Sequence, residues 1–263
     1  TFGGVISGSG KVTQDGAGIT ALTAKNLYFG DTTITAGTLQ LGDGGTSGAI
    51  LNTAKVDVRD NGALSFNRLD RVVFDRFITG AGKVSQDGIG TTVLTADNAY
   101  TGGTMITAGT LQLGDGGATG SIQGDVINNS ALSFNRFNTL TFGGAISGSG
   151  KVRQDGIGTT VLTADNSYSG GTTIAAGTLQ IGNGGAAGTV GSGPVVDDSV
   201  LAINRSGVFE IPGVISGVGR LDQMGPGTTI LTGNNTYSGG TTISGGTLQL
   251  GNGQTTGSIQ GDV

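Results

Sequence analysis

One segment of this chain recurs four times with fixed internal spacing, and that periodicity constrains the fold more than any single motif. Gln14, Gln86, Gln154 and Gln223 each sit in a Val/Leu-x-Gln context, and the numbering advances by 72, 68 and 69 between them. Eight residues after each Gln comes Leu22, Leu94, Leu162 and Leu231. Twelve after comes Asn26, Asn98, Asn166 and Asn235, and fourteen after comes Tyr28, Tyr100, Tyr168 and Tyr237. From each Gln to the Gly that closes the Thr-Leu-Gln-Leu/Ile-Gly run (Gly42, Gly114, Gly182, Gly251) the distance is always 28. From that Gly to the next Gln it is 44, 40 and 41. Each unit therefore joins a length-locked half to one that tolerates insertion, the division expected between packed coils and loops.

The apolar residues within a unit alternate, as in Leu179 and Ile181 of GTLQIG or Leu132 and Phe134 of ALSFN. Period 2 is a strand signal, and no helical stripe of useful length competes with it. Gly pairs such as Gly102-Gly103 and Gly170-Gly171 break the runs every few residues, where tight corners are needed. The predicted fold is all-β, a parallel β-solenoid with about three coils per repeat of roughly 70 residues. Repeat units fall at about 1–73, 74–141, 142–210 and 211–263, the last incomplete, within one solenoid over 1–263. Eleven or so coils stacked at about 4.8 Å predict a rod of roughly 50 to 55 Å. Val12, Leu22, Ile34, Leu39, Leu41 and their equivalents form the predicted core.

Composition narrows the function. Cysteine, histidine and tryptophan are absent, so disulfides, Cys/His metal sites and the commonest general base are excluded. The formal net charge of -5 argues against nucleic acid and anionic membrane surfaces, which attract Lys/Arg clusters. No apolar run approaches a membrane span, and Thr1 begins without the charged and apolar regions of a signal peptide. Residues 1–4 match 141–144 and residues 257–263 match 120–126, which reads as a piece of a longer array.

Four local patterns invite a chemical reading. The Asn/Tyr pairs could stack on carbohydrate, but Asn bonding its own turn and Tyr packing a corner fit better. The GDGG segments (42–45, 114–117) suggest calcium only weakly, because later copies carry Asn183 and Asn252 and tandem nine-residue spacing is missing. No cofactor or metal is expected, and chelators are predicted to leave stability unchanged. Asp197-Asp198 and the run from Arg68 to Arg76 are the densest charges, without the paired-carboxylate pattern of glycoside chemistry, so an enzyme is not expected. An ice-binding Thr face fails, since Thr35 gives way to Ala175 and Ser244.

The stretch GKVRQDGIGTTVLTADNSYSGGTTIAAGTLQIGNGG (150–185) resembles the passenger-associated transport repeat of bacterial autotransporters. The pattern recurs from near Gly8, Gly80, Gly148 and Gly217; the first copy departs at Lys25, Phe29 and Asp31. The resemblance implies a right-handed parallel β-helix that is secreted across the outer membrane and displayed on the cell surface. It also implies a barrel translocator downstream, with many relatives acting as adhesins or biofilm factors. The expected role is a non-enzymatic adhesin-type stalk, contacting a host-cell surface, a glycan or neighbouring bacteria. The alternative is a purely structural spacer that assists secretion and projects another domain. Contact is assigned to Arg59, Arg68, Arg71 and Arg76 in the longest insertion, read as a solvated loop, because Arg offers bidentate cationic donors.

Overall fold

In a computed structural model of the protein, which describes residues 1–254 and 257–263, no helix is present among the described residues. The chain forms two compact units, Thr1–Leu132 and Ser133–Val263. Each is a stack of parallel β-coils, so the predicted β-solenoid is what the sequence builds.

In Thr1–Leu132, Val12–Gln14 pairs in parallel with Thr32–Leu41, which pairs with Lys55–Phe66. Ile19 faces Thr38 and Leu39 faces Leu64, register steps of 19 and 25. In Ser133–Val263 the strands Thr159–Leu162, Thr178–Ile181, Val200–Ile203 and Arg220–Gln223 stack in order, at steps of 19, 22 and 20. Together these steps bracket the coil of roughly 23 residues expected from three coils per repeat.

Alternation does the sorting. In Lys83–Gln86 the second and fourth side chains turn inward, and in Thr110–Leu113 Leu111 and Leu113 do the same. Leu22, Ile34, Leu39 and Leu41 are buried as predicted, while Val12 is only half-buried. Their equivalents in the second and third copies are sealed completely, whereas Ile243 and Leu250 stay 43% and 46% exposed. Burying each such side chain contributes about 1.5–3 kcal/mol. Edge-on ring pairs add to this inside each unit: Phe66 on Phe74 at 5.0 Å and Phe134 on Phe142 at 5.6 Å.

The stacking register shows how the repeat sits on the coils. Gln14 heads the column Gln14–Ile34–Val58, but Gln86 lies on a different one, Leu22–Leu41–Phe66–Gln86. The second unit behaves alike: Gln154–Ile174–Asp197 is one column and Leu162–Ile181–Ile203–Gln223 another. Three coil steps therefore carry the chain from Leu22 to Gln86 or from Leu162 to Gln223, whereas a full repeat starts earlier, at Gln14 or Gln154. The difference is the Gln-to-Leu stretch that leads from one strand to the next around the coil. A repeat is thus three coils plus one face. Equivalent residues do not stack about 14 Å apart in one column, as three whole coils would have placed them. Within each unit they point to different sides.

Candidate functional site

The repeated polar residues are buried, and their geometry gives them a structural task. Asn98 accepts the Ile78 N–H at 3.0 Å and donates to the carbonyls of Ala96 at 2.8 Å and Ser121 at 3.0 Å. One amide thus ties its own coil to the coils before and after it. Asn26, Asn166 and Asn235 repeat the arrangement, with Ile6, Ile146 and Ile215 as the donors. Gln14, Gln86, Gln154 and Gln223 each donate from Nε2 to the carbonyl two residues on, at 2.7 to 3.0 Å, bracing the Gly turn.

The tyrosines are sealed in the interior, which removes them as stacking platforms for a sugar. The Tyr100 hydroxyl lies 2.7 Å from Thr104 Oγ1, and burial pushes its phenol well above the usual range. Tyr100→Phe strands the Thr104 hydroxyl, so an expected cost of about 1–2 kcal/mol should appear in urea unfolding. Among the described residues, no group of three or more Asp, Glu, His or Cys is placed to hold a metal ion.

The segment carrying the four candidate arginines is not the solvated loop expected from its charges. It is a coil of strands, Lys55–Phe66 followed by Arg71–Phe74, pinned by inward Val56, Val58, Leu64, Phe66 and Phe74. The structure does not gather the arginines into one patch, since Arg59 and Arg71 lie in strands of different sheets. The Arg59 side chain is 61% exposed and pairs with Asp57 at 3.2 Å. Arg71 is half exposed and reaches Asp115, in the GDGG turn of the next repeat, at 2.5 Å. Arg76 donates to the Leu51 carbonyl and pairs with Asp75 at 3.0 Å.

Arg68 differs in kind. It is buried; Nη1 donates to the Gly48 carbonyl at 3.0 Å and Nη2 to the Thr46 carbonyl. Its fork also grips Asp70 at 2.9 and 2.7 Å, which holds that carboxyl below its usual range. Arg205 does the equivalent work in the second unit, donating to the carbonyls of Gly188 and Ala186 while lying 4.5 Å over the Phe209 ring. Sequence reading missed this clamp, although its signal is present: Asn67-Arg68, Asn135-Arg136 and Asn204-Arg205 recur at steps of 68 and 69.

Part of the surface is not dictated by the repeat and differs between copies. Leu27, Phe29 and Leu51 are 42%, 66% and 39% exposed, where the second repeat has Ala99, Thr101 and Gln123. An open groove of about 440 Å³ in Thr1–Leu132 is lined by Ser85, Met105 and Ile127, with Lys83 and Asp125 at its sides. The third repeat places Arg153, Thr173 and Val196 at those three lining positions, so the groove's chemistry is particular to the second.

The family of passenger-associated-transport repeats matches residues 12–41, 84–113, 152–181 and 221–250, the four length-locked halves. The chain is also 35% identical over 208 residues to "Adhesin BmaC autotransporter" of Brucella suis biovar 1 (strain 1330). That alignment covers 70% of this chain and 6% of the relative's length. No solved structure matches the chain. The four matched segments coincide with the coils tied by the buried Gln, Asn and Tyr, and the chain belongs to the autotransporter passengers built of passenger-associated-transport repeats.

Proposed function

We propose that this segment is a non-enzymatic, adhesin-type stalk displayed on the bacterial surface and secreted through a barrel translocator elsewhere in its full chain. The observation that carries the reading is how the recurring polar residues are used. Asn, Gln, Tyr and the clamping Arg direct their hydrogen bonds to neighbouring coils and turns, while exposed side chains such as Leu27, Phe29 and Leu51 fall where the copies differ in sequence. The name of the Brucella relative supports an adhesive role. A host-cell surface, a glycan or a neighbouring bacterium is the partner class. Exposed positions on a rigid scaffold are where recognition is least constrained.

Contact is assigned to Arg59 and Arg71, whose side chains remain half exposed or more, in preference to Arg68 and Arg76, which bond main-chain carbonyls. The test is attachment and cell aggregation by the full-length protein carrying Arg59→Ser and Arg71→Ser together. Exposed ion pairs contribute roughly 0–1 kcal/mol, so the double variant is expected to fold normally. Attachment reduced several-fold supports the contact role. Unchanged attachment favours the second reading, a spacer that projects another domain, which the same inward use of the repeated residues also fits.

A further inference from the structure

We propose that Asp197 makes Ser133–Val263 acid-responsive: proton uptake by this sealed carboxyl consolidates the coils around it as the surroundings acidify from neutral pH. The side chain is wholly inaccessible, because alternation along Val195–Asp197 turns it inward beside Ile174 of the preceding coil. One oxygen, Oδ1, accepts the Ser199 N–H at 3.1 Å. The other, Oδ2, is buried without a hydrogen-bond partner. Gly219 of the following coil closes over the group; a Cβ there would stand 2.5 Å from Oδ1. An ionised carboxylate in such a place lacks the solvation or pairing that would hold its charge.

Its charged and titratable neighbours add no compensation. Asp198 is adjacent in sequence and Asp222 lies on Arg220–Gln223, and both repel a negative charge at Asp197. Arg220 is the cation that faces it, and its guanidinium is engaged by Asp222 at 3.0 Å. The Tyr237 hydroxyl is bonded to Thr241, and the charge of Asp197 itself discourages its ionisation. The repeat supplies an internal comparison. Asn128 holds the corresponding position in Thr1–Leu132 and accepts the Ser130 N–H at 3.2 Å, the same turn with a neutral side chain.

Burial, only partly offset by the backbone N–H groups of Ser199 and Leu201 and reinforced by these acidic neighbours, pushes the carboxyl from 3.8 up to about 6. Below pH 4 both folded and unfolded chains hold the proton and nothing is lost. Between about 4 and 6 the unfolded chain releases it first, so stability falls as pH rises through this window. Above 6 the full penalty remains. The whole chain should be followed by hydrogen exchange over residues 190–220, corrected for the intrinsic pH dependence. From pH 4 to 7 the opening constant is expected to rise roughly a hundredfold. In Asp197→Asn it should change less than about threefold, with protection at pH 7 close to that at pH 4. An equal pH response in the variant overturns the proposal. Carboxyl-carbon NMR of the unaltered chain gives an independent check: titration of Asp197 at or below the ordinary Asp range also overturns it.

Discussion

Gly177→Val is expected to destabilise Ser133–Val263 by about 3–5 kcal/mol, a large share of a typical domain's stability. Two effects add. Gly177 has φ +61°, a left-handed conformation that costs a side-chain-bearing residue about 1–2 kcal/mol. A Cβ at this corner would also stand 2.2 Å from the Gly158 carbonyl oxygen and 2.5 Å from that of Gly156, backbone atoms of the preceding coil. Neither atom can swing away without opening the stack. Gly109 meets Gly90 and Gly88 in the same way in the other unit, with φ +60° and a 2.2 Å approach. The control is Gly184→Ala, where φ is +84° but nothing lies within 4 Å of the added carbon. That substitution should cost only the conformational part, about 1–2 kcal/mol. Urea midpoints read both, and equal losses would show that close coil contact is not what selects Gly at the corner.

This corner also shows why so much of the fold is legible in the sequence. Gly-x-Gly after each Gln and Gly before each Thr-Leu-Gln are local patterns, and the coil brings the two together at one residue offset throughout. The same holds for the inward Leu and Ile, whose period of 2 needs no tertiary knowledge. The residues that sequence misjudges are those whose meaning is set one coil away. Arg68 groups with Arg71 and Arg76 because they are close in sequence, yet its partners Thr46 and Gly48 lie 22 and 20 positions back. The run from Arg59 to Gly62 looks like the start of a loop because charge interrupts the alternation there. In space it lies between the inward pairs Val56, Val58 and Leu64, Phe66 of one strand. The one-face advance is hidden likewise, because the constant eight residues from Gln to Leu look no different in sequence from the rest of the length-locked half.

Arg68→Met should therefore be read as a change to the scaffold, with an expected loss of about 3 kcal/mol in Thr1–Leu132. Methionine keeps much of the apolar stem but removes every donor. The carbonyls of Gly48 and Thr46 then lose charged hydrogen-bond partners, and Asp70 loses the fork that holds its charge. Lysine cannot restore this, because one ammonium does not reproduce a planar fork that spans two carbonyls and a carboxylate, so Arg68→Lys should recover only part of the loss. Arg59→Met removes an exposed pair with Asp57 and should cost less than about 0.5 kcal/mol. The contrast separates the two roles that sequence alone merges. If Arg68→Met unfolds at the same urea concentration as the unaltered chain while attachment falls, Arg68 is a contact residue and the clamp contributes nothing. If stability falls and attachment falls only in proportion to the unfolded fraction, the Asn-Arg step of each repeat belongs to the scaffold. The contact role proposed for Arg59 and Arg71 then stands apart from the scaffold and is tested by their own substitution.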